Sequence, residues 1–134
     1  MDKTTILIIE DNEEVRENLE EILELYGYHI LAEPNGLAGV KTAIQHPPDL
    51  ILCDVMMPEL DGYGVLNMLS ENERTAGIPF VFITAKTETE DIRRGMNLGA
   101  DDYITKPFYK DELLNVIRTR LKKARSRTGV DAPA

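Results

Sequence analysis

The chain has 134 residues, 43% hydrophobic and 29% charged, enough for one core and outside the range of disordered or fibrous polymers. Asp and Glu number 24 against 15 Lys and Arg, a formal net charge of -9; this sign excludes nucleic-acid binding by the chain as a whole and suits either a well-solvated protein or a cation site. The single cysteine, Cys53, leaves no intrachain disulfide or cysteine-based zinc site and fits a reducing, cytoplasmic compartment.

From Met1-Asp2-Lys3 the chain enters four aliphatics, Ile6 to Ile9, too few for a signal peptide core or a membrane span and right for a strand. Val15, Leu19, Ile22, Leu23 and Tyr26 then recur at helical spacing. His29-Ile30-Leu31 reads as a second strand, residues 36–46 as a helix, and Leu50-Ile51-Leu52-Cys53 as a third strand. A helix over 62–70, a strand at Phe80-Val81-Phe82-Ile83, a helix over 89–98 and a short strand at Tyr103-Ile104 follow. Leu113, Leu114, Ile117 and Leu121 define the last helix. Residues 1–124 are thus expected to form one domain and 125–134 a disordered tail or the start of a linker. The charge is uneven: residues 1–60 hold 13 acids and 3 bases, and residues 110–134 hold 3 acids and 7 bases. The basic end is read as the exposed face of the last helix, complementing its dipole.

Five strands, each followed by a helix, imply parallel strands joined by right-handed crossovers, with helices on both faces. The near-continuous apolar strands agree, because a strand covered on both faces has no polar side to show. Ligands of such sheets bind at the carboxyl ends of the strands. There the chain carries Glu10 and Asp11, then Asp54, Thr84 and Lys106.

Three carboxylates gathered at one edge repel unless a divalent cation or raised pKa values relieve them, and an all-oxygen set that leaves room for water suits Mg²⁺. A carboxylate is also a nucleophile able to form an acyl phosphate. A cation, a lysine and a hydroxyl would neutralise and position the oxygens of a phosphoryl group in transfer. Singly, each residue has a plainer reading: Asp11 or Asn12 as a helix cap, Thr84 as a strand-end hydroxyl, Lys106 as a solvated lysine, Asp54 as a turn residue. Their conjunction at four strand ends is what points to chemistry.

Glu10-Asp11, Asp54 with Pro58 four residues on, Thr84-Ala85, and Tyr103 ahead of Lys106-Pro107 resemble the receiver domain of bacterial two-component response regulators, over about residues 3–124. The resemblance implies a flavodoxin-like doubly wound (βα)5 sandwich with a five-stranded parallel sheet of order 2-1-3-4-5. It implies that Asp54 is the phosphoacceptor, fed by a sensor histidine kinase or phosphotransfer protein in a phosphorelay. Glu10, Asp11, Asp54 and the Met56 backbone carbonyl would surround Mg²⁺ or Mn²⁺, Thr84 and Lys106 would bind phosphoryl oxygens, and the bond to Pro107 would be cis. Thr84 and Tyr103 would form a switch read on the fourth helix, fifth strand and fifth helix by a downstream protein or a fused output domain. Met56 and Lys86 occupy positions that tune hydrolysis in the family.

Rival chemistries lack their signatures. No G-x-G-x-x-G or Walker A loop follows the first strand, and Met56 stands where a haloacid-dehalogenase-like phosphatase carries its general acid. The chain is therefore expected to catalyse only its own phosphorylation and dephosphorylation. A scaffold that is never phosphorylated is the alternative, against which the complete acidic, Thr and Lys set counts. Output stays open between a stand-alone receiver, which the short tail favours, and a receiver excised from a longer regulator such as a DNA-binding transcription factor. A phosphorylation-dependent homodimer finds Asp102, Glu112 and Arg118 in place, but Ile92 and Val116 stand where basic partners are expected. His29 and His46 are read as structural, Cys53 as core filler, Asp101 and Asp102 as structural, and the glutamates of the first helix as a solvated face.

Overall fold

The computed structural model describes residues 3–85 and 88–128. Its elements are β1 (Thr5–Ile9), α1 (Glu13–Leu25), β2 (His29–Glu33), α2 (Gly36–Gln45), β3 (Leu50–Cys53), α3 (Gly62–Ser70), β4 (Phe80–Thr84), α4 (Thr89–Asn97), β5 (Asp102–Thr105) and α5 (Lys110–Thr128). The strands form one parallel sheet in the order β2-β1-β3-β4-β5, the flavodoxin-like arrangement that the resemblance implies.

Side chains alternate faces along a strand, and the core divides accordingly. Leu7, Ile9, Ile51, Cys53, Phe80 and Phe82 pack with Val40 and Ala43 of α2 and with Val65, Leu66 and Leu69 of α3. Ile6, Ile8, Leu50, Leu52, Val81 and Ile83 pack on the other face with Leu19 and Leu23 of α1 and Leu113, Leu114, Ile117 and Leu121 of α5. A sheet buried on both sides therefore reads as unbroken aliphatic runs. Of α4, only Gly95 is buried, so this helix is the one held most lightly.

Three helices start on side-chain caps. Asn12 accepts from the Val15 N–H at 3.0 Å, Asn35 from Ala38 at 2.8 Å and Asp61 from Gly64 at 2.9 Å. Asn12 rather than Asp11 thus caps α1, leaving the Asp11 carboxylate for other work. Asp101 and Asp102 are structural, as the sequence suggests: Asp101 accepts from the Phe80 N–H at 2.8 Å, and Asp102 pairs with Arg120 at 3.0 Å. One boundary needs correction, because α5 continues through Thr128 and the separation placed at residue 124 falls inside the helix. The remainder of the expected tail and Lys86 lie outside the described residues. Among the described residues no helix is long and apolar enough to cross a membrane.

Candidate functional site

The ladders that β1 forms with β3 and with β2 each continue one residue past the strands. The Asp54 N–H donates to the Ile9 carbonyl at 3.0 Å, and the Glu10 N–H donates to the Glu33 carbonyl at 3.1 Å. These bonds fix both carboxylates at the carboxyl edge, where Glu10 is fully buried and Asp54 is 5% exposed. The exposed Asp11 lies beside them, and carboxylate oxygens of Glu10, Asp11 and Asp54 fall within 4.8 Å of one another.

Lys106 reaches this cluster from the end of β5. Its N–H donates to the Thr84 carbonyl at 2.9 Å, which ties the β5–α5 loop to the end of β4. Its Nζ then stands 2.6 Å from Glu10 Oε1 and 2.9 Å from Asp54 Oδ2. The Lys106–Pro107 peptide is cis. Glu10 Oε2 accepts from the Asn12 N–H at 3.1 Å and Asp54 Oδ1 from the Met56 N–H at 3.2 Å. Thr84 is fully buried at the end of β4, and the Met56 side chain is exposed beside Asp54.

The electrostatics follow from this packing. Burial pushes the Glu10 carboxyl up to about 7, against the opposing pull of its hydrogen bonds from Lys106 and the Asn12 N–H, while the Asp54 charge pushes the same way as burial. Burial alone would lower the Lys106 ammonium, but hydrogen bonds to Glu10 and Asp54 and their charges outweigh it and hold the group above its ordinary value. One ammonium faces three carboxyl groups. The deficit of positive charge, the purely oxygen donors and the open side at Asp11 fit a small hard divalent cation.

Thr84, Tyr103 and Phe82 adjoin through the β4–β5 register, in which Phe82 pairs with Tyr103. The Tyr103 hydroxyl is buried without a hydrogen-bond partner.

A family model described as the response regulator receiver domain matches residues 6–118. The chain belongs to this family. The receiver domain is 40% identical over 118 residues to the DNA-binding dual master transcriptional regulator RpaA of Synechocystis, covering 88% of this chain and 49% of that protein. It is 40% identical over 125 residues to the phosphate regulon transcriptional regulatory protein PhoB of Pseudomonas aeruginosa, covering 93% of this chain and 53% of that protein. The chain spans about half the length of these curated relatives. Among solved structures, the receiver domain of the sensor histidine kinase PA1611 from Pseudomonas aeruginosa has a TM-score of 0.84 at 28% identity, covering 90% of this receiver domain and 99% of that chain. That structure has a magnesium ion coordinated in its active-site cleft.

The structure thus brings Glu10, Asp11, Asp54 and Lys106 together, with Thr84 one backbone hydrogen bond away. Sequence reasoning passed over three further residues. Arg16 donates from Nη1 to the Glu10 carbonyl at 2.9 Å, and Tyr63 and Arg94 link α3 to α4. Tyr63 shares its helical spacing with Leu66 and Leu69, a pattern that signals a core ring. Its hydroxyl partner lies 28 residues away, and no local pattern announces that.

Proposed function

We propose that Asp54 accepts a phosphoryl group from a phosphohistidine on a sensor histidine kinase or phosphotransfer protein, and that the domain acts as the phosphorylation-controlled switch of a two-component pathway. The observation that carries this reading is the placement of a nearly buried carboxylate 2.9 Å from a lysine ammonium and within one three-carboxylate cluster. A structural aspartate needs one partner; this one has a cation beside it and a further anionic site adjoining.

In the reaction an Asp54 carboxylate oxygen forms a bond to phosphorus as the phosphorus–nitrogen bond of the donor breaks. The imidazole leaves with the electron pair and takes up a proton, and an acyl phosphate remains on Asp54. Glu10, Asp11, Asp54 and the Met56 carbonyl would hold Mg²⁺, which when bound supplies positive charge for the phosphoryl oxygens. Lys106, released from part of its pairing with Asp54, follows the new negative charge. The Thr84 hydroxyl donates to another phosphoryl oxygen, a movement that starts at the end of β4 and passes to Tyr103 and α4. Hydrolysis of the acyl phosphate by water resets the domain, so turnover of free phosphoesters is outside this reading. The groove lined by Val15, Ile22, Pro107 and Phe108 beside Lys106 gives an apolar seat for the helix of a phosphodonor protein. The altered α4–β5–α5 face would be read by a downstream protein or a fused output domain.

The test is intact-mass measurement after incubation with acetyl phosphate and Mg²⁺. Wild type is expected to gain one phosphoryl adduct and Asp54→Ala none; an equal adduct yield in the variant would overturn the assignment.

A further inference from the structure

Tyr63 is 4% exposed, yet its hydroxyl leaves the core to donate to the Asp91 carbonyl in the first turn of α4 at 3.1 Å. Arg94, one turn along α4, lays its guanidinium 4.2 Å from the centroid of the same ring, a cation–π contact. The helix has few other fastenings. Glu88 at its start makes no side-chain cap hydrogen bond, and Gly95 is its one buried residue. A Cβ at Gly95 would stand 2.9 Å from Phe82 and 3.4 Å from the Tyr103 ring, so α4 rests directly on these aromatics.

The same aromatic group leads inward. Tyr63 meets Phe82 edge-on at 5.4 Å, and Phe82 meets Tyr103 at 5.7 Å. The Tyr103 hydroxyl is buried with no well-formed hydrogen bond, and the Tyr63 hydroxyl lies within interaction range of it. The Tyr63 oxygen has given its proton to Asp91 and retains acceptor capacity. Burial first, and Tyr63 next, push the Tyr103 phenol up, in keeping with two hydroxyls lying within each other's field.

We infer that Tyr63 is a positioning residue of the switch: its oxygen is the acceptor on which the inward Tyr103 hydroxyl settles, while its proton ties α4 through Asp91. Ring packing alone would make Phe equivalent at position 63; the hydroxyl makes the position of α4 depend on where Tyr103 points. The inference rests on the reading of Asp54 as phosphoacceptor for its trigger, and on the tyrosine geometry for everything else.

The experiment compares wild type, Tyr63→Phe, Tyr103→Phe, the double variant and Arg94→Gln, each with ¹³Cζ-labelled tyrosine and ¹⁵N-labelled backbone. Spectra are taken before and after acetyl phosphate with Mg²⁺, and adduct is read by intact mass on the same samples. Tyr63→Phe is expected to shift the Tyr103 Cζ resonance in the unmodified protein and to reduce the phosphorylation-induced amide shifts of residues 91–97 at least twofold. In the Tyr103→Phe background it should add nothing to the loss of phosphorylation-induced shifts, because for that response the pair acts as a unit. Arg94→Gln should raise amide exchange in α4 and leave the Tyr103 Cζ resonance in place. An unmoved Tyr103 resonance in Tyr63→Phe, additive effects in the double variant, or an equal Cζ shift in Arg94→Gln would overturn the inference. If wild type forms no adduct, the phosphoacceptor reading fails, and the tyrosine pairing is still decided by the spectra of unmodified protein.

Discussion

Lys106 is the residue on which the charge balance of the site turns. It is the cation in contact with both Glu10 and Asp54, and a buried carboxylate that loses its partner is left with an uncompensated charge. Lys106→Ala is expected to slow adduct formation from acetyl phosphate by about 10²-fold, the scale on which preorganised donors to a reacting oxyanion act; a stopped-flow rate within twofold of wild type would remove Lys106 from the chemistry. Asp11 is the exposed corner of the cluster, so its substitution is expected to act on cation affinity more than on folding. Asp11→Asn takes away one anionic ligand, and Mg²⁺ affinity measured by calorimetry is expected to fall about tenfold or more, since ligand charge sets affinity at oxygen sites. The five candidate positions could be placed from the sequence because Glu10, Asp54 and Thr84 directly follow apolar runs and Asp11 and Lys106 stand one residue further on. What separates Asp11 from Glu10 was not legible: both are acids after the same strand, and only the fold shows that Asn12 takes the capping bond and that Glu10 points into the protein.

At the scale of elements, the loop from β3 to α3 carries the tightest constraint. A Cβ at Gly62 would collide with the Asp54 carbonyl oxygen and stand 2.8 Å from the Val55 Cα, both of them backbone that cannot swing aside. The Gly62 N–H also donates to the Val55 carbonyl at 2.8 Å, so α3 begins pressed against the segment that carries Asp54. Gly62→Ala is expected to cost about 1–3 kcal/mol in urea unfolding, as overpacking does, and to lower the adduct rate as Asp54 is displaced. An unchanged midpoint and rate would show that the loop has slack. The strands were legible to within a residue or two, as were α2 and α3, whose periodicity reflects real burial. The helix α4 is legible in its bounds and misleading in its packing, because the position that meets the core is a glycine. A hydrophobic pattern records side chains, and here the contact is made by the lack of one.

For the molecule as a whole, the described residues form two cores, one on each face of the sheet. A deletion in one core acts on the site through strand position, since four strand ends contribute to it. Leu52, fully buried in the central strand two residues before Asp54, faces the α1 and α5 side. Leu52→Ala is expected to destabilise the fold by about 2–5 kcal/mol in urea unfolding; a loss below about 1 kcal/mol would show that α1 and α5 collapse onto the space. The parallel sheet with helices on both faces was legible because alternating βα units leave few topologies open, whereas the strand order followed from the family resemblance. The extent of α5 was not legible, because its last turns are polar and basic and so carry no core signal.

That length has a mechanical meaning. The 19 residues of α5 make a rod about 28 Å long, seated on the sheet by Leu113, Leu114, Ile117 and Leu121. It begins three residues after Pro107, beside the site. Its other end lies where Arg125 donates to the Thr4 hydroxyl at 2.9 Å, at the edge of the sheet opposite Asp54. A tilt of about 5° at the near end would carry the far end by about 2 Å over such a rod. The helix therefore joins the two edges of the sheet in a single element, its first turn beside the site and its last turns at the amino ends of the strands.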